Sequence, residues 1–199
     1  MNILQILPEL KSGGVERGTV DLAKFLKEKG HKAVVVSAGG PLVGDLTSAG
    51  VVHYTLPVHK KSPLAIFRSI KALTKIIQRE QIDIIHVRSR VPAFVTYWVS
   101  RRTHVPFITT CHGFYSKHLL SAMMGWGKLV IVASHVIGRH MRDDFGVPHH
   151  KIRMSPRGVN LKEFKKNEVR DSAVKREPAV GIIGRLTPIK GHSLFLKAM

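Results

Sequence analysis

The sequence has little cysteine, and this shortage excludes two classes of protein. A single cysteine, Cys111, among 199 residues excludes an internal disulfide and a cysteine-rich zinc site. The twelve histidines do not replace it, because no HExxH motif occurs and His135 and His140 stand five residues apart, unlike common zinc ligands. We therefore expect neither a metal nor another cofactor, and the lone thiol fits a reducing cytoplasm.

The sequence also lacks a long uninterrupted apolar run. Residues 1–10 have neither the basic start nor the long apolar stretch of a signal peptide. The best candidate for a membrane span, residues 119–138, is interrupted by Lys128 and His135. With 44% hydrophobic residues, the composition predicts a soluble globular protein of the cytoplasm.

Acidic residues are scarce. Only 13 Asp and Glu oppose 32 Lys and Arg, which gives a formal net charge of +19. Such a charge attracts anionic partners through Coulomb attraction and counterion release. Nucleic acid, anionic lipid headgroups and phosphorylated substrates all qualify, and a basic surface that only maintains solubility is the alternative.

Short apolar runs alternate with helix-like periodicity along most of the chain. The predicted strands are residues 2–7, 33–37, 51–56, 82–87, 107–110 and 129–133. Amphipathic patterns between them, such as Ile66, Ile70, Leu73 and Ile77, predict helices. This alternation predicts an α/β fold, a Rossmann-like doubly wound parallel sheet, whose ligands lie at the carboxyl ends of the strands.

The composition changes after residue 160. Residues 161–178 are rich in charge and predict an exposed linker. A new apolar run, residues 179–183, predicts a strand, and a helix is expected to start at His192. We interpret residues 1–160 as one domain and residues 179–199 as the first strand and partial helix of a second, truncated domain.

The first predicted strand is followed by Gly13-Gly14-Val15-Glu16-Arg17. Two glycines let the backbone approach a ligand closely, and the free N–H groups at a helix start attract anions. The pattern therefore suits a phosphate or pyrophosphate. A tight turn that needs glycine only for its geometry remains the alternative.

Polar residues follow two further predicted strands. Arg88 and Arg90 stand where they can clamp an anionic acceptor, although ordinary surface charge explains them as well. His112, followed by Gly113, can donate a hydrogen bond to a sugar hydroxyl or a phosphate oxygen. A purely structural histidine is the alternative.

The strand expected at residues 179–183 is followed by Gly184 and Arg185, with Lys190 five residues later. Two cations and a glycine turn before a helix start match the charge of a diphosphate. A glycine and proline turn with ordinary surface cations is the alternative.

These motifs, together with Pro156-Arg157-Gly158-Val159-Asn160, occur in the order and spacing of glycosyltransferase family 4. The sequence resembles the retaining GT-B enzymes of this family that build lipopolysaccharide cores and capsules, over about half of a typical member. The resemblance implies transfer of a sugar from a nucleotide-diphosphate sugar to a cell-envelope glycan or lipid-linked acceptor. The basic surface would then dock on the inner face of the cell membrane.

The resemblance also implies residue roles. His112 is implied as the catalytic residue beside the donor sugar. The donor diphosphate is implied to contact Gly13, Gly14, Arg185 and Lys190. The acceptor side is implied near Glu16, Arg88 and Arg90. No metal is required, since fixed cations stabilise the charge that develops on the leaving phosphate.

One departure affects the expected activity. The family's second domain carries two glutamates separated by seven residues, and this sequence ends before such a pair. We therefore expect little transfer by this chain alone. A non-enzymatic protein that binds nucleic acid or another polyanion is the rival interpretation, although no nucleic-acid module is recognisable. A truncated product without function is the third.

Overall fold

The computed structural model describes residues 1–158, 179–184 and 186–199. The chain divides into two compact units, Met1–Gly158 and Val159–Met199, and each is described by itself. The predicted linker, residues 161–178, lies outside the described residues. None of the described helices is long and apolar enough to cross a membrane.

Seven parallel strands form one sheet in the first unit, in the order β3-β2-β1-β4-β5-β6-β7. They are β1 (Asn2–Ile6), β2 (Lys32–Ser37), β3 (Val52–Thr55), β4 (Ile84–Val87), β5 (Phe107–Cys111), β6 (Val130–Val132) and β7 (Ile152–Met154). The prediction of a doubly wound parallel sheet is confirmed. The strand order reverses between β1 and β4, which are hydrogen-bonded neighbours. Strands β2 and β3 are added on one side of β1, and strands β5 to β7 on the far side of β4.

Helices connect successive strands. They are α1 (Gly14–Glu28), α2 (Val43–Thr47), α3 (Pro63–Glu80), α4 (Arg90–Thr103), α5 (Leu119–Ala122) and α6 (His135–Phe145). The longest, α3, begins where the Ser62 hydroxyl accepts a hydrogen bond from the Ala65 amide and Pro63 occupies the first turn. It ends at Gln81, which adopts the left-handed conformation with φ 51°.

The two faces of the sheet carry separate apolar clusters. Leu4 and Ile6 of β1 pack in the larger cluster with the buried residues of α3 and α4. Leu7, just after β1, packs in the smaller cluster, with Val20 of α1 and Leu46 of α2. Because successive strand residues point to opposite faces, strands covered on both sides are apolar almost throughout.

Two sequence predictions differ from the structure. Strand β7 was not predicted, because it has three residues and lies at the edge of the sheet with exposed Arg153 and Met154. The predicted strand at 179–183 is not formed, because a strand needs a hydrogen-bonded neighbour and no strand occurs among residues 179–184 and 186–199. The helix predicted to start at His192 is present as α7 (His192–Ala198).

The last residue of α3, Glu80, joins the helix to two strands of the sheet. Its carboxylate accepts a hydrogen bond of 2.5 Å from the Tyr54 hydroxyl of β3 and lies 2.9 Å from Lys32 Nζ of β2. The Tyr54 bond, followed by the Lys32 bond, lowers the pKa of Glu80 below its usual value. Its contribution to stability is therefore present above about pH 4.3 and is lost as the pH falls through the lowered pKa.

Replacing Glu80 with Gln should lower the free energy of unfolding by about 1–2 kcal/mol at pH 7, since a charged hydrogen-bond acceptor is lost. Urea denaturation measures this change. The difference from the unsubstituted protein should shrink as the pH falls below 4, because Glu80 is then protonated. The exposed Glu28 of α1 provides the control, and Glu28→Gln should change stability by less than about 0.5 kcal/mol. Equal losses in both variants would contradict the assignment.

Candidate functional site

The candidate site lies at the carboxyl ends of β1, β4 and β5. In a doubly wound sheet, ligands bind where the strand order reverses, and here that point lies between β1 and β4. The glycine loop follows β1, Arg88 follows β4 and His112 follows β5. The fold therefore brings these three predicted positions to one edge of the sheet.

The glycine loop leads directly into α1. Gly13 is the residue before the helix and has no side chain to cap it, so the first amides of α1 have no side-chain partner from this residue. The Gly14 carbonyl accepts a hydrogen bond from Arg157 Nη1. A Cβ atom on Gly14 would lie 2.6 Å from that nitrogen, so a larger residue at this position would shift the end of the Arg157 side chain. The carboxylate of Glu16 folds back against Gly13.

A row of polar side chains crosses the sheet on the face covered by α1. Gln5 and His86 are paired in register on β1 and β4, and Arg88 follows His86 by two residues. His86 Nε2 lies 2.6 Å from the Thr110 hydroxyl of β5. Because alternate residues share a face, the polar row continues from Thr110 to His112.

Arg88 is a buried cation. Its guanidinium donates a hydrogen bond of 2.9 Å to Gln5 Oε1, and Gln5 in turn donates one of 3.1 Å to the Thr19 carbonyl of α1. Arg88 Nε has no partner, and within the described residues no carboxylate forms an ion pair with this side chain. Burial, followed by the nearby charge of Arg157, lowers the pKa of Arg88 to about 10, so it remains charged at neutral pH.

His112 is held as a neutral hydrogen-bond donor. Its Nδ1 lies 3.0 Å from Arg157 Nη2, and a guanidinium can only donate, so Nδ1 accepts and the ring proton resides on Nε2. Burial lowers the pKa of His112 to about 4, and the charges of Arg157 and Arg88 contribute. Nε2 is buried without a partner among the described residues.

The loop after β5 is fastened to α6. The Tyr115 amide donates a hydrogen bond of 3.0 Å to His140 Nε2, and His140 Nδ1 lies 2.6 Å from Asp144 Oδ2. Asp144 also forms an ion pair of 2.7 Å with Lys117. The Tyr115 hydroxyl accepts a weaker bond of 3.4 Å from the His112 amide. These contacts hold the loop that follows His112 against α6.

Arg90 has different neighbours from Arg88. Its Nη1 lies 3.2 Å from His118 Nε2, and its guanidinium carbon lies 5.6 Å from the centre of the Tyr115 ring. It therefore braces the loop after β5. Among the described residues, no hydrogen bond joins it to Arg88, Arg157 or His112, so the two predicted acceptor arginines have separate surroundings.

In the second unit, Lys190 ends a short 3-10 turn, Pro188–Lys190, just before α7. A Cβ atom on Gly184 would lie 3.7 Å from the His192 ring and 3.8 Å from Lys190 Cδ, so these three residues are neighbours. Arg185 lies outside the described residues. No group of three His, Cys, Asp or Glu side chains suitable for a metal occurs in the parts of the chain that the structure describes.

Two residues of the site were not predicted. Arg157 lies within the loop that carries the family resemblance, but no role was predicted for it. Gln5 supports Arg88, and the signal that indicates it is an amide side chain inside an otherwise apolar strand sequence, since a buried amide requires partners.

The doubly wound sheet and the glycine loop at its carboxyl edge define a Rossmann-like domain. The sequence profile described as Glycosyltransferase Family 4 matches residues 12–163, and the chain belongs to this family. A comparison with curated protein sequences gives no match.

Solved structures of glycosyltransferases resemble the chain. A glycosyltransferase from Rickettsia africae is 34% identical, with a TM-score of 0.74, over 99% of this chain and 49% of that one. HepE of Anabaena in complex with UDP-glucose is 18% identical, with a TM-score of 0.65, over 84% of this chain and 47% of that one. The lipopolysaccharide outer core galactosyltransferase WaaB is 11% identical, with a TM-score of 0.64, over 81% of this chain and 47% of that one. The chain thus spans about half the length of these proteins.

The contact between Arg157 and His112 predicts the direction of a change in pKa. In Arg157→Met the pKa of His112 should rise from about 4, because a positive charge that opposes protonation is removed. It should stay below 6.5, because burial, the larger cause, remains. Titration of the histidine ring signals by NMR measures the pKa, with His112→Gln identifying the signal.

The control for this titration is Arg153→Met, which removes an equal charge from the exposed strand β7. This variant should leave the pKa of His112 unchanged. An identical titration of His112 in the two variants would contradict the contact with Arg157.

Proposed function

We propose that this chain is part of a retaining transferase that moves a sugar from a nucleotide-diphosphate sugar to a cell-envelope glycan or lipid-linked acceptor. The observation that carries the proposal is the neutral His112, whose Nε2 donor lacks a partner, at the same sheet edge as the glycine loop. Two solved neighbours strengthen it, since HepE was crystallised with UDP-glucose and WaaB is a galactosyltransferase.

The proposed roles follow from the chemistry of the residues. His112 donates to an oxygen of the donor sugar, because a neutral Nε2–H group can only donate. Gly13 and Gly14 present backbone amides at the start of α1 to the diphosphate. Arg185 and Lys190 stabilise the charge that develops on the leaving phosphate, so the reaction needs no metal.

The acceptor side is proposed to lie near Glu16, Arg88 and Arg90. In this proposal residues 1–160 form the acceptor-side domain and residues 179–199 belong to the nucleotide-sugar-binding domain. The coverage of 49% of the Rickettsia protein agrees with a chain that carries most of one domain and a small part of another.

The donor site can be tested with one glycine pair on the same helix. Gly14→Ala should weaken UDP binding at least tenfold, because the new Cβ displaces Arg157 and obstructs the approach of the diphosphate. In the control, Gly18→Ala, the new Cβ meets no atom within 4 Å. This variant should bind UDP normally and gain about 0.5–1 kcal/mol of stability. Calorimetric titration with UDP measures the affinities.

Two outcomes would contradict the donor proposal. One is equal UDP affinity in the two glycine variants. The other is tight binding of an oligonucleotide that UDP does not displace, which would favour the rival polyanion-binding function suggested by the charge of +19. Transfer itself is tested with labelled UDP-sugars and an envelope lipid extract, and NMR of the product reports the anomeric configuration.

The proposed membrane partner is an anionic bilayer, bound from the cytoplasm through α3 and α4. These helices pack together and present exposed aromatic residues, of which Phe67 is 59% and Trp98 47% exposed. The exposed cations on the two helices are Arg68, Lys71, Lys75, Arg79, Arg101 and Arg102. Exposed aromatics among cations favour the boundary between headgroups and acyl chains of anionic lipids.

Replacing Phe67 and Trp98 together with Ala should weaken binding to vesicles of phosphatidylcholine and phosphatidylglycerol roughly tenfold, since apolar area is no longer inserted. Vesicle co-sedimentation measures this. Phe25→Ala provides the control, because Phe25 is 52% exposed but lies on α1. Equal binding by the double variant and the control would remove the assignment of α3 and α4 as the docking face.

A further inference from the structure

Arg88 and Arg157 place two guanidinium groups beside His112, and neither has a carboxylate partner among the described residues. Burial lowers the pKa of Arg88, and the repulsive charge of Arg157 lowers it further. A buried charge is normally paired, because removing it from water costs several kcal/mol. Within residues 1–158, 179–184 and 186–199, no carboxylate balances these two charges.

The sequence around the site explains why no protein group supplies that charge. Residues 84–142, which run from β4 to α6, contain no Asp or Glu. Glu16, whose carboxylate lies against Gly13, forms no ion pair with Arg88 or Arg157. The stretch that surrounds Arg88 and His112 thus offers cations but no carboxylate.

The side chains of Arg157, Arg88 and His112 have more N–H donors than partners. Arg157 uses one N–H for the Gly14 carbonyl and one for His112 Nδ1, which leaves three of its five N–H groups. Arg157 is exposed, so these groups are accessible to a ligand. Arg88 is buried and has an unpartnered Nε, and His112 adds its unpartnered Nε2–H.

We infer that Arg157 and Arg88 form a phosphate-binding subsite beside His112 within the first unit. Arg157 contacts the phosphate oxygens directly, and Arg88 contributes its buried charge from below. A planar guanidinium matches the oxygens of a phosphate group with two parallel hydrogen bonds. All residues of this subsite belong to the first unit, Met1–Gly158, whereas Arg185 and Lys190 belong to the second.

The source of the phosphate group is either the diphosphate of the donor or a phosphate on the acceptor. This assignment of a source rests on the proposed transferase function, whereas binding of free phosphate does not. The transferase proposal and the phosphate subsite can therefore be disproved independently of each other. Loss of phosphate binding would leave the transferase proposal standing, and absence of transfer would leave the phosphate subsite standing.

The test uses inorganic phosphate and the 199-residue chain, with the NMR signal of the His112 ring as the reporter. Arg157→Met should raise the dissociation constant for phosphate at least tenfold, and Arg88→Met should raise it as well. Because Arg157 is exposed, its variant is expected to fold normally, which keeps the test valid even if Arg88→Met does not fold. Arg153→Met, with the same loss of charge on β7, should remain within twofold of the unsubstituted chain.

Phosphate affinity that is the same in Arg157→Met and Arg153→Met would overturn the proposal. A titration at saturating UDP then distinguishes the sources. If UDP abolishes phosphate binding, the subsite holds the donor diphosphate. If phosphate still binds with UDP present, and Arg157→Met still weakens it, the subsite holds a phosphate of the acceptor.

Discussion

The buried guanidinium of Arg88 is the constraint around which the first unit is organised. A charge at this depth requires hydrogen-bond partners, and the structure supplies one with Gln5, a polar residue in the interior strand β1. Gln5 also bonds the Thr19 carbonyl and so connects the strand to α1. Burial lowers the pKa of His86 to about 3 and that of His112 to about 4, and the charge of Arg88 adds to the effect in both. Both imidazoles near this cation are therefore uncharged at neutral pH.

Most of the fold was predictable because buried parallel strands leave a strong trace in sequence. Runs such as that of β2 (Lys32–Ser37) are β-branched and short, and helices such as α3 repeat apolar residues with helical spacing. This sequence signal is weak where a strand is exposed. Strand β7 has one half-buried and two exposed residues, so nothing in its three residues distinguishes it from a loop. The apolar run at 179–183 carries a strand-like pattern, but pattern alone supplies no neighbour to pair with.

The site was predictable as a set of positions but not as a set of contacts. Gly14, Arg88 and His112 follow strands, and a parallel sheet places the ends of its strands together. The role of Arg157 depends on β7, which lies four strand spacings, or about 19 Å, from β1. Its loop returns to Gly14 across that distance, and no local pattern records this path. The pairing of Arg90 with His118 and Tyr115, away from Arg88, depends on tertiary packing in the same way.

The hydrogen bond between Arg157 and Gly14 joins residues 143 positions apart, and this separation has a consequence for the order in which the chain folds. Closing so long a loop is entropically unfavourable until the intervening strands have paired. The anion-attracting edge is therefore completed only after β7 has joined the sheet, when the polypeptide up to residue 157 is available. A nascent chain that has formed β1 to β5 already contains Gly14, Arg88 and His112, yet it lacks the side chain that fixes the imidazole tautomer. The contact that holds His112 Nδ1 as an acceptor is thus formed only when the whole first unit has folded.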